Sequence, residues 1–335
     1  MKDIYILGIE TSCDETSMAI VKNGSEAIAM SVLTQIDVHA QYGGVVPEIA
    51  SRMHTEYITL VLEDLFNKTT LKMEDMSAIA VTYTPGLLGS LLIGLEFAKT
   101  LALVYGKPLI KVHHLAGHIY ANNLTTKMTF PLLALVVSGG HTELILMKDD
   151  YQFQVLGATL DDAIGECYDK VAKVLDMPYP GGPSIDKAAQ TGEATYNLPN
   201  PMQNESLDFS YSGLKSAIVN LVHNTKQRNE TINKEDLAYS FQTIAVDQLV
   251  RKTQQAIKVT KAKRLIVAGG VSANQYLRNV MKELAEKEQI EIAIPELKYC
   301  TDNGAMIAAA AYPLYLKKDF APFNLNAEAL SKLAS

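Results

Sequence analysis

The chain has 335 residues, of which 48% are apolar and 20% are charged, and its formal net charge is −7. That length exceeds one ordinary hydrophobic core, so we expect a globular protein with two domains. The acidic balance argues against a uniformly basic surface, so any nucleic-acid partner must meet a local basic patch or a second subunit.

The location of the protein is predicted from its cysteines and its apolar runs. Cys13, Cys167 and Cys300 are an odd and scattered set, which favours a reducing compartment without a disulfide framework. The first residues lead into a strand without the apolar stretch of a signal peptide. No uninterrupted apolar run reaches about 18 residues, so we expect no membrane segment. These features predict a cytoplasmic protein.

The first predicted elements are two strands, 4–10 and 16–22, joined by the polar turn TSCDE. Hydroxyl and backbone N–H groups in such a turn can contact anionic oxygens. Asp14 and Glu15 cannot contact phosphate without an intervening cation or proton, so they are candidates for acid–base chemistry. A solvated hairpin turn is the plainer interpretation.

Two helices are predicted next. The first covers about 47–67 and begins with a proline, which is tolerated in the first turn of a helix. The second follows a strand over 77–82 and carries Gly89, Ser90 and Gly94 as a face without bulky side chains. That face suits either internal packing or a partner helix.

The stretch KVHHLAGH contains His114 and His118, which are four residues apart and therefore leave the same face of a helix. This spacing can give two ligands to one divalent metal. Asp302, in TDNGAM, precedes an apolar run of small residues, where it can cap a helix and direct a carboxylate to the same point. Such a site would leave coordination positions open for substrate. Two ordinary histidines on a helix are the alternative.

The strand–turn–strand pattern of the amino terminus recurs over 131–147, and we therefore expect a duplicated βββαβα unit with a cleft between the halves. The second turn, from Ser138 through Gly139 and Gly140 to His141, lacks bulk, so an anion or carbonyl can approach its backbone N–H groups.

Several acidic and amide residues of the second half are candidates for ligand contacts. Residues 159–175 predict a helix entered through Asp161 and Asp162, in which Asp169 can form a surface ion pair with Lys173 four residues on. Asp186 follows a Pro-Gly-Gly-Pro turn, where a carboxylate can accept hydrogen bonds from ribose hydroxyls. A Gly-Gly turn and the first turn of a helix that contains Asn274 form a second nucleotide-type turn.

The predicted fold class is α/β with two domains. Residues 1–127 form domain I, which is completed by a C-terminal helical segment over 306–335. Residues 128–305 form domain II. Its Asn-, Ser- and Gln-rich stretch, about 191–235, is predicted to be an irregular insertion outside the core.

Motifs along nearly the whole chain, from about residue 8 to 325, resemble the TsaD family, the bacterial enzymes of tRNA N6-threonylcarbamoyladenosine formation, formerly labelled O-sialoglycoprotein endopeptidases. The motifs occur in the family's order: ETSCDET, GGVVPEIASRMH, PGLLGSLLIG, HHLAGH, SGGHT, GECYDKVAK, YPGGP, FSYSGLK, AGGVSAN and CTDNGAM. An ordered set is far more specific than any one motif. The resemblance implies the actin/Hsp70/sugar-kinase (ASKHA) fold.

The resemblance also implies a reaction. The threonylcarbamoyl group would pass from threonylcarbamoyl-AMP to N6 of adenosine 37 in tRNAs reading ANN codons, giving AMP. Implied partners are the shorter paralogue TsaB, which we expect to dock on the helices over 47–67 and 87–104, and the ATPase TsaE. A metal-dependent glycoprotease is an alternative, although HLAGH lacks the Glu of HExxH. An ASKHA-type ATP-binding protein is another.

The implied site residues fall into two groups. His114, His118 and Asp302 would bind one divalent metal, with Fe²⁺ favoured and Zn²⁺ possible. The residues implied in substrate binding are Val137, Ser138, Gly139, Gly140, His141 and Asp169 for the acyl-phosphate portion, and Gly182, Asp186 and Asn274 for the adenosine. Asp14 and Glu15 are the candidates for a catalytic base. The chain departs from the family at Thr84, usually Gly, at His113, usually Asn, and at Leu115-Ala116, usually Met-Glu.

Overall fold

The computed structural model describes residues 3–333, which fold as two compact units. Unit 1 contains the described residues up to Thr129 together with those from Pro295 onward, and unit 2 is Phe130–Ile294. Residues 295–305 belong to unit 1 and not to the predicted domain II, and they lead into the last helix.

The elements are numbered in chain order. Those before unit 2 are β1 Tyr5–Glu10, β2 Glu15–Lys22, β3 Glu26–Thr34, α1 Ile36–Ala40, α2 Pro47–Asn67, β4 Ala78–Thr84, α3 Leu88–Tyr105, β5 Leu109–His113 and α4 His114–Tyr120. Unit 2 contains β6 Leu132–Val137, β7 Thr142–Met147, β8 Phe153–Ala158, α5 Ile164–Val174, α6 Gly181–Ala189, α7 Ser212–Gln227, α8 Lys234–Thr260, β9 Arg264–Ala268, α9 Gln275–Glu288 and β10 Glu291–Ala293. The last helix, α10 Gly304–Lys317, belongs to unit 1.

Each unit contains one five-stranded mixed sheet, and the two sheets have the same topology. The strand order is β3-β2-β1-β4-β5 in unit 1 and, in the corresponding direction, β8-β7-β6-β9-β10 in unit 2. The first three strands of each unit pair antiparallel, and the other two add in parallel. A meander followed by parallel strands with helical connections is the expected βββαβα unit. Its duplication is confirmed.

Unit 1 places its functional candidates at the ends of its strands. The predicted strands 4–10 and 16–22 are β1 and β2, which pair in register from Tyr5 with Lys22 to Glu10 with Ser17. The turn between them therefore lies at the same end as the C-terminal end of β5, since β1, β4 and β5 are parallel. Helix α4 starts directly after β5, so its first residues lie near that turn.

The segment predicted to be an irregular insertion contains helix α7, and it belongs to the core. Leu214, Ile218 and Val222 of α7 are buried in the hydrophobic core of unit 2. The start of α7 is held by Asp161, whose carboxylate accepts hydrogen bonds from Tyr211 N at 2.8 Å and Ser212 N at 3.2 Å. Asp161 was predicted to enter the helix over 159–175, but that helix, α5, begins only at Ile164.

Helix α3 packs its small residues inward. A Cβ on Gly94 would overlap the Thr11 hydroxyl oxygen, and one on Gly89 would lie 3.1 Å from Ser51 Cβ. Ser90 is buried. The small-residue face is thus used for internal packing, and the expectation that Gly94 lies on a docking face is wrong.

Helix α3 also has the length and mean hydropathy, 1.5, of a membrane span. Its side chains Leu95, Ala98 and Ala102 are nevertheless part of the hydrophobic core of unit 1. Long apolar helices that pack against a core pass the same test of length and hydropathy.

Candidate metal centre and substrate-contacting turns

Helix α4 presents the histidine pair as predicted, one turn apart on one short helix. Its N-cap is His113, whose Nδ1 accepts a hydrogen bond from Leu115 N at 3.2 Å. Gly117 lets α10 approach, since a Cβ there would lie 2.8 Å from Ile307 Cδ1. Helix α4 is therefore fixed at its start by its own cap and along its length by α10.

Asp302 lies two residues before the first residue of α10 and does not cap the helix. The cap is Asn303, whose side-chain oxygen accepts a hydrogen bond from Met306 N at 2.9 Å. Gly304 N donates to Ser17 Oγ at 2.9 Å, which ties the start of α10 to β2. The expectation that Asp302 caps the helix is wrong, and its carboxylate lies beside the two histidines instead.

The three predicted ligands converge. Asp302 Oδ1 lies 3.2 Å from His118 Nε2 and 3.5 Å from His114 Nε2. One ligand atom from each residue can be chosen so that all lie within 4.8 Å of one another. The two imidazole rings are nearly perpendicular, with centroids 4.6 Å apart. These residues therefore form a possible metal site within unit 1.

His118 supplies a test of whether a metal fits this site. The residue is 1% exposed, and within residues 3–333 neither ring nitrogen has a partner with hydrogen-bond geometry. Burying such a polar atom unsatisfied costs about 1–3 kcal/mol. An ion facing Nε2 would satisfy one nitrogen, and two imidazoles with one carboxylate suit Fe²⁺ or Zn²⁺. The donor set therefore fits a divalent metal.

Opposing effects set the charges at this centre. Burial alone would lower the pKa of His114, but the carboxylates of Asp302 and Glu10 outweigh it and raise that pKa to about 9. Burial lowers the pKa of His118, and Asp302 offsets this only in part. Burial would raise the pKa of Glu10, but its ion pair with His114 lowers it overall. Without a metal, His114 is therefore cationic at neutral pH, with a proton on each ring nitrogen.

Glu10 belongs to this centre as well, although it is not among the predicted site residues. It is the last residue of β1 and is fully buried, and its Oε2 lies 3.2 Å from His114 Nδ1. A charged residue that ends an otherwise apolar strand was the available signal, but nothing in the sequence indicated its partner.

Asp14 lies in the turn after β1, and Glu15, the first residue of β2, interacts electrostatically with Asp302. Burial, together with Asp302 and Asp14, raises the pKa of Glu15 well above its usual value. His54 is fully buried and 2.9 Å from the Cys13 carbonyl oxygen through Nε2, which fixes the middle of the turn. The turn is thus held in place by a buried histidine, and the carboxyl group that follows it has a raised pKa.

In unit 2, the predicted acyl-phosphate turn is a closed loop. Val137 ends β6, and Ser138 N donates to His141 O at 2.8 Å while His141 N donates to Ser138 Oγ at 3.1 Å. Gly139 and Gly140 have open space where a Cβ would be. The loop therefore presents backbone on an unobstructed side.

The loop packs against the start of α5, and the same helix also carries Asp169. Gly165 N donates to Ser138 O at 3.3 Å, and a Cβ on Gly165 would lie 2.6 Å from that oxygen. The Asp169 carboxylate accepts a hydrogen bond from Gly181 N at 2.7 Å and so holds the start of α6. Gly182, next in α6, has no neighbour within 4 Å of a Cβ position. The loop is therefore hydrogen-bonded to α5, and α5 is hydrogen-bonded through Asp169 to the start of α6, where Gly182 lies.

The two nucleoside candidates also meet, and both make internal hydrogen bonds. Asp186 Oδ2 accepts from Gln275 N at 3.2 Å. Asn274 caps α9, accepting from Leu277 N at 2.8 Å, and donates to Gln242 Oε1 at 2.8 Å. Asn274 therefore has a structural role as the cap of α9, independent of any ligand. The sequence did not predict this role.

Comparison with solved structures shows the fold class of the chain. Full-length HypF in its phosphate- and nucleotide-bound form aligns over 95% of this chain and 47% of its own, with a TM-score of 0.61 at 14% identity. Component A of the Acidaminococcus fermentans (R)-2-hydroxyglutaryl-CoA dehydratase aligns over 93% of this chain and 99% of its own, with a TM-score of 0.54 at 16% identity. The chain therefore has the predicted ASKHA fold, here with a histidine–carboxylate cluster in unit 1.

The family follows from sequence comparison. The family model for TsaD, tRNA N6-adenosine threonylcarbamoyltransferase, matches residues 26–309. Proteins of that name from Staphylococcus haemolyticus and Bacillus cereus are 54% and 55% identical over 328 residues, covering 98% and 97% of this chain and 96% of each relative. The chain belongs to the TsaD family. The predicted family and enzyme class, a transferase, are confirmed.

Proposed function

We propose that this protein transfers the threonylcarbamoyl group from threonylcarbamoyl-AMP to N6 of adenosine 37 in tRNAs that read ANN codons, releasing AMP. Membership of the TsaD family across residues 26–309 is the observation that carries the proposal. The convergence of His114, His118 and Asp302 supports it, because a plain ATP-binding protein of this fold does not need a histidine pair.

In this reaction, positioning of the two reactants matters more than activation of the leaving group. An exocyclic aromatic amine is a weak nucleophile, whereas AMP is a good leaving group, so catalysis depends on placing the amine and stabilising developing negative charge on oxygen. A divalent ion bound by His114, His118 and Asp302 would supply a Lewis acid toward the oxygens of the donor.

The residues of the chain itself divide the remaining tasks. The loop from Val137 to His141, together with Asp169, is proposed to hold the acyl-phosphate portion. The N–H groups of Ser138 and His141 are engaged within the loop, so those of Gly139 and Gly140, where the backbone is accessible, are proposed as the donors. Gly182, Asp186 and Asn274 are proposed to hold the adenosine. Asp14 and Glu15 are the candidates for proton transfer, and burial together with the Asp302 carboxylate raises the pKa of Glu15.

The proposed setting is a cytoplasmic assembly. The partners are tRNA, the paralogue TsaB and the ATPase TsaE. A net charge of −7 gives the chain no overall attraction for tRNA, so a partner subunit or a local patch has to supply cationic contacts. Fe²⁺ is the favoured metal, and Zn²⁺ fits the same donors.

Nucleoside mass spectrometry tests this function. Bulk tRNA from cells depleted of the protein is expected to lose N6-threonylcarbamoyladenosine, and expression of the wild-type chain restores it while His118→Ala does not. Unchanged levels after depletion would contradict the proposal. Cleavage of a glycoprotein by the purified chain, lost in His118→Ala, would instead favour the glycoprotease alternative.

A further inference from the structure

We propose that Glu10 is a positioning residue for the metal centre: its carboxylate holds His114 in the tautomer whose Nε2 is free to bind the ion. The inference rests on the proposed metal site but not on the identity of the transferred group. It concerns a side chain that is not among the predicted ligands.

Glu10 is built into unit 1 as a fixed hydrogen-bond acceptor. Its side chain has no exposed surface. Oε1 accepts from Ser12 N at 2.5 Å, and Oε2 accepts from the Thr82 hydroxyl at 2.6 Å. These two donors come from the turn after β1 and from β4, so the carboxylate cannot rotate without losing both. A buried carboxylate needs such partners, and here they also fix its direction.

The third group at this carboxylate is His114, which approaches through Nδ1. Glu10 Oε2 lies 3.2 Å from Nδ1, and Ser12 Oγ lies 3.1 Å from the same nitrogen. A carboxylate only accepts hydrogen bonds, so the proton must lie on Nδ1. The lone pair of a neutral His114 is then on Nε2, the nitrogen that faces Asp302 at 3.5 Å.

Glu10 is placed to orient a ligand and not to be one. Its carboxylate lies at the nitrogen of His114 opposite to the one that faces Asp302, and it is outside the cluster whose ligand atoms lie within 4.8 Å. A carboxylate that accepts from the far nitrogen of a metal-binding histidine fixes the ring orientation and raises the basicity of the ligand. His118 has no equivalent partner at Nδ1 within the described part of the chain, so this control acts through His114.

Glu10→Gln tests the inference, because it keeps the shape but replaces one acceptor oxygen by a donor. The probe is Zn²⁺ alone, with affinity measured by competition against a chelator in wild type, Glu10→Gln and Glu143→Gln. Glu143 is a partly buried carboxyl group in unit 2 and serves as the matched control. We expect Glu10→Gln to bind Zn²⁺ roughly 10- to 100-fold more weakly, and the control to match wild type. Equal affinity in a folded Glu10→Gln would overturn the inference.

A second measurement does not depend on whether the variant folds. Nitrogen NMR of histidine-labelled wild type with Zn²⁺ reports which nitrogen of His114 carries the proton. We expect a protonated Nδ1 and a metal-bound Nε2, and the reverse would overturn the inference. If wild type bound no Zn²⁺, the metal centre itself would be wrong. Intact Zn²⁺ binding without tRNA modification would instead count against the proposed function and leave the role of Glu10 standing.

Discussion

Gly8 in β1 and Gly304 at the start of α10 bring two backbones into direct contact. A Cβ on Gly304 would lie 2.7 Å from the Gly8 carbonyl oxygen, and a Cβ on Gly8 would overlap the Gly304 carbonyl oxygen. Glu10 and Asp302 lie two residues from this crossing on either side. The crossing therefore joins β1, which ends at Glu10, to α10, which begins just after Asp302.

Gly304→Ala is expected to lower the stability of the protein and its metal affinity together. The added methyl group meets backbone atoms of β1 and β2, including Ala19 N at 2.6 Å, and backbone cannot move aside as a flexible side chain can. Overpacking of this kind costs about 1–3 kcal/mol or more. Denaturant midpoints and Zn²⁺ affinity check this. Gly213→Ala, with open space at its Cβ, is the control: it should match wild type in Zn²⁺ affinity, and its denaturant midpoint should not fall, since alanine is favoured over glycine in a helix.

Metal affinity is expected to rise with pH up to about 9. The pKa of His114 is raised to about 9 in the absence of metal, and the ion must displace that proton. Each pH unit below this value therefore costs about tenfold in affinity. Without metal the sign is opposite: the raised pKa stabilises the fold below the unfolded value, near 6.5, and this contribution is lost as pH rises through 9.

Calorimetric titration with Zn²⁺ in buffers of different ionisation enthalpy measures the release of this proton. About one proton per ion is expected at pH 7, falling toward zero above pH 9. An affinity independent of pH between 7 and 9 would show that His114 is already neutral there.

Asp186→Ala is expected to weaken binding of AMP-containing ligands by about 1–3 kcal/mol, which is the cost of one lost buried hydrogen bond. Asn274→Ala should add a stability loss of about 0.5–2 kcal/mol, since Asn274 caps α9. Equilibrium binding of AMP measures the loss of affinity, and the unfolding midpoint measures the loss of stability. Asp176→Ala, at an exposed residue, is the control. Normal binding by Asp186→Ala would remove that residue from the nucleoside site.

The docking of TsaB remains a prediction, and the structure changes which residues test it. Gly94 faces Thr11 inside unit 1, so a bulky substitution there would disturb the fold. Leu60 in α2 is 53% exposed, and Leu103 in α3 is 71% exposed. Leu103→Arg is expected to abolish co-elution with TsaB while leaving the unfolding midpoint unchanged. Retained co-elution of both Leu60→Arg and Leu103→Arg would place the interface elsewhere.

What the sequence predicted well was local. Helix α2 begins and ends where the pattern placed it, 47–67, and the spacing of His114 and His118 puts both on one turn of α4. The repeated strand–turn–strand motif predicted the duplicated sheets, because antiparallel hairpins are encoded by contiguous residues.

What the sequence did not predict depends on distant partners. Asp161 does not cap α5, the next helix along the chain. Its carboxylate accepts hydrogen bonds instead from the backbone at the start of α7, some 50 residues further on. Asp302 and Asn303 are adjacent polar residues, and only the path of α10 decides which one caps. Glu10 finds its partner, His114, 104 residues along the chain, so its role becomes visible only once β1 and α4 are placed together.

We expect His114, His118 and Asp302 to hold one divalent metal on which transfer to tRNA depends. Asp302→Ala tests it cleanly, because Asn303 caps α10 and the helix therefore keeps its cap. Elemental analysis of purified Asp302→Ala beside wild type and the exposed Asp319→Ala is the decisive measurement. We expect close to one metal ion per chain in wild type and Asp319→Ala, and little in a folded Asp302→Ala that forms no N6-threonylcarbamoyladenosine. Equal metal content in all three would contradict the account.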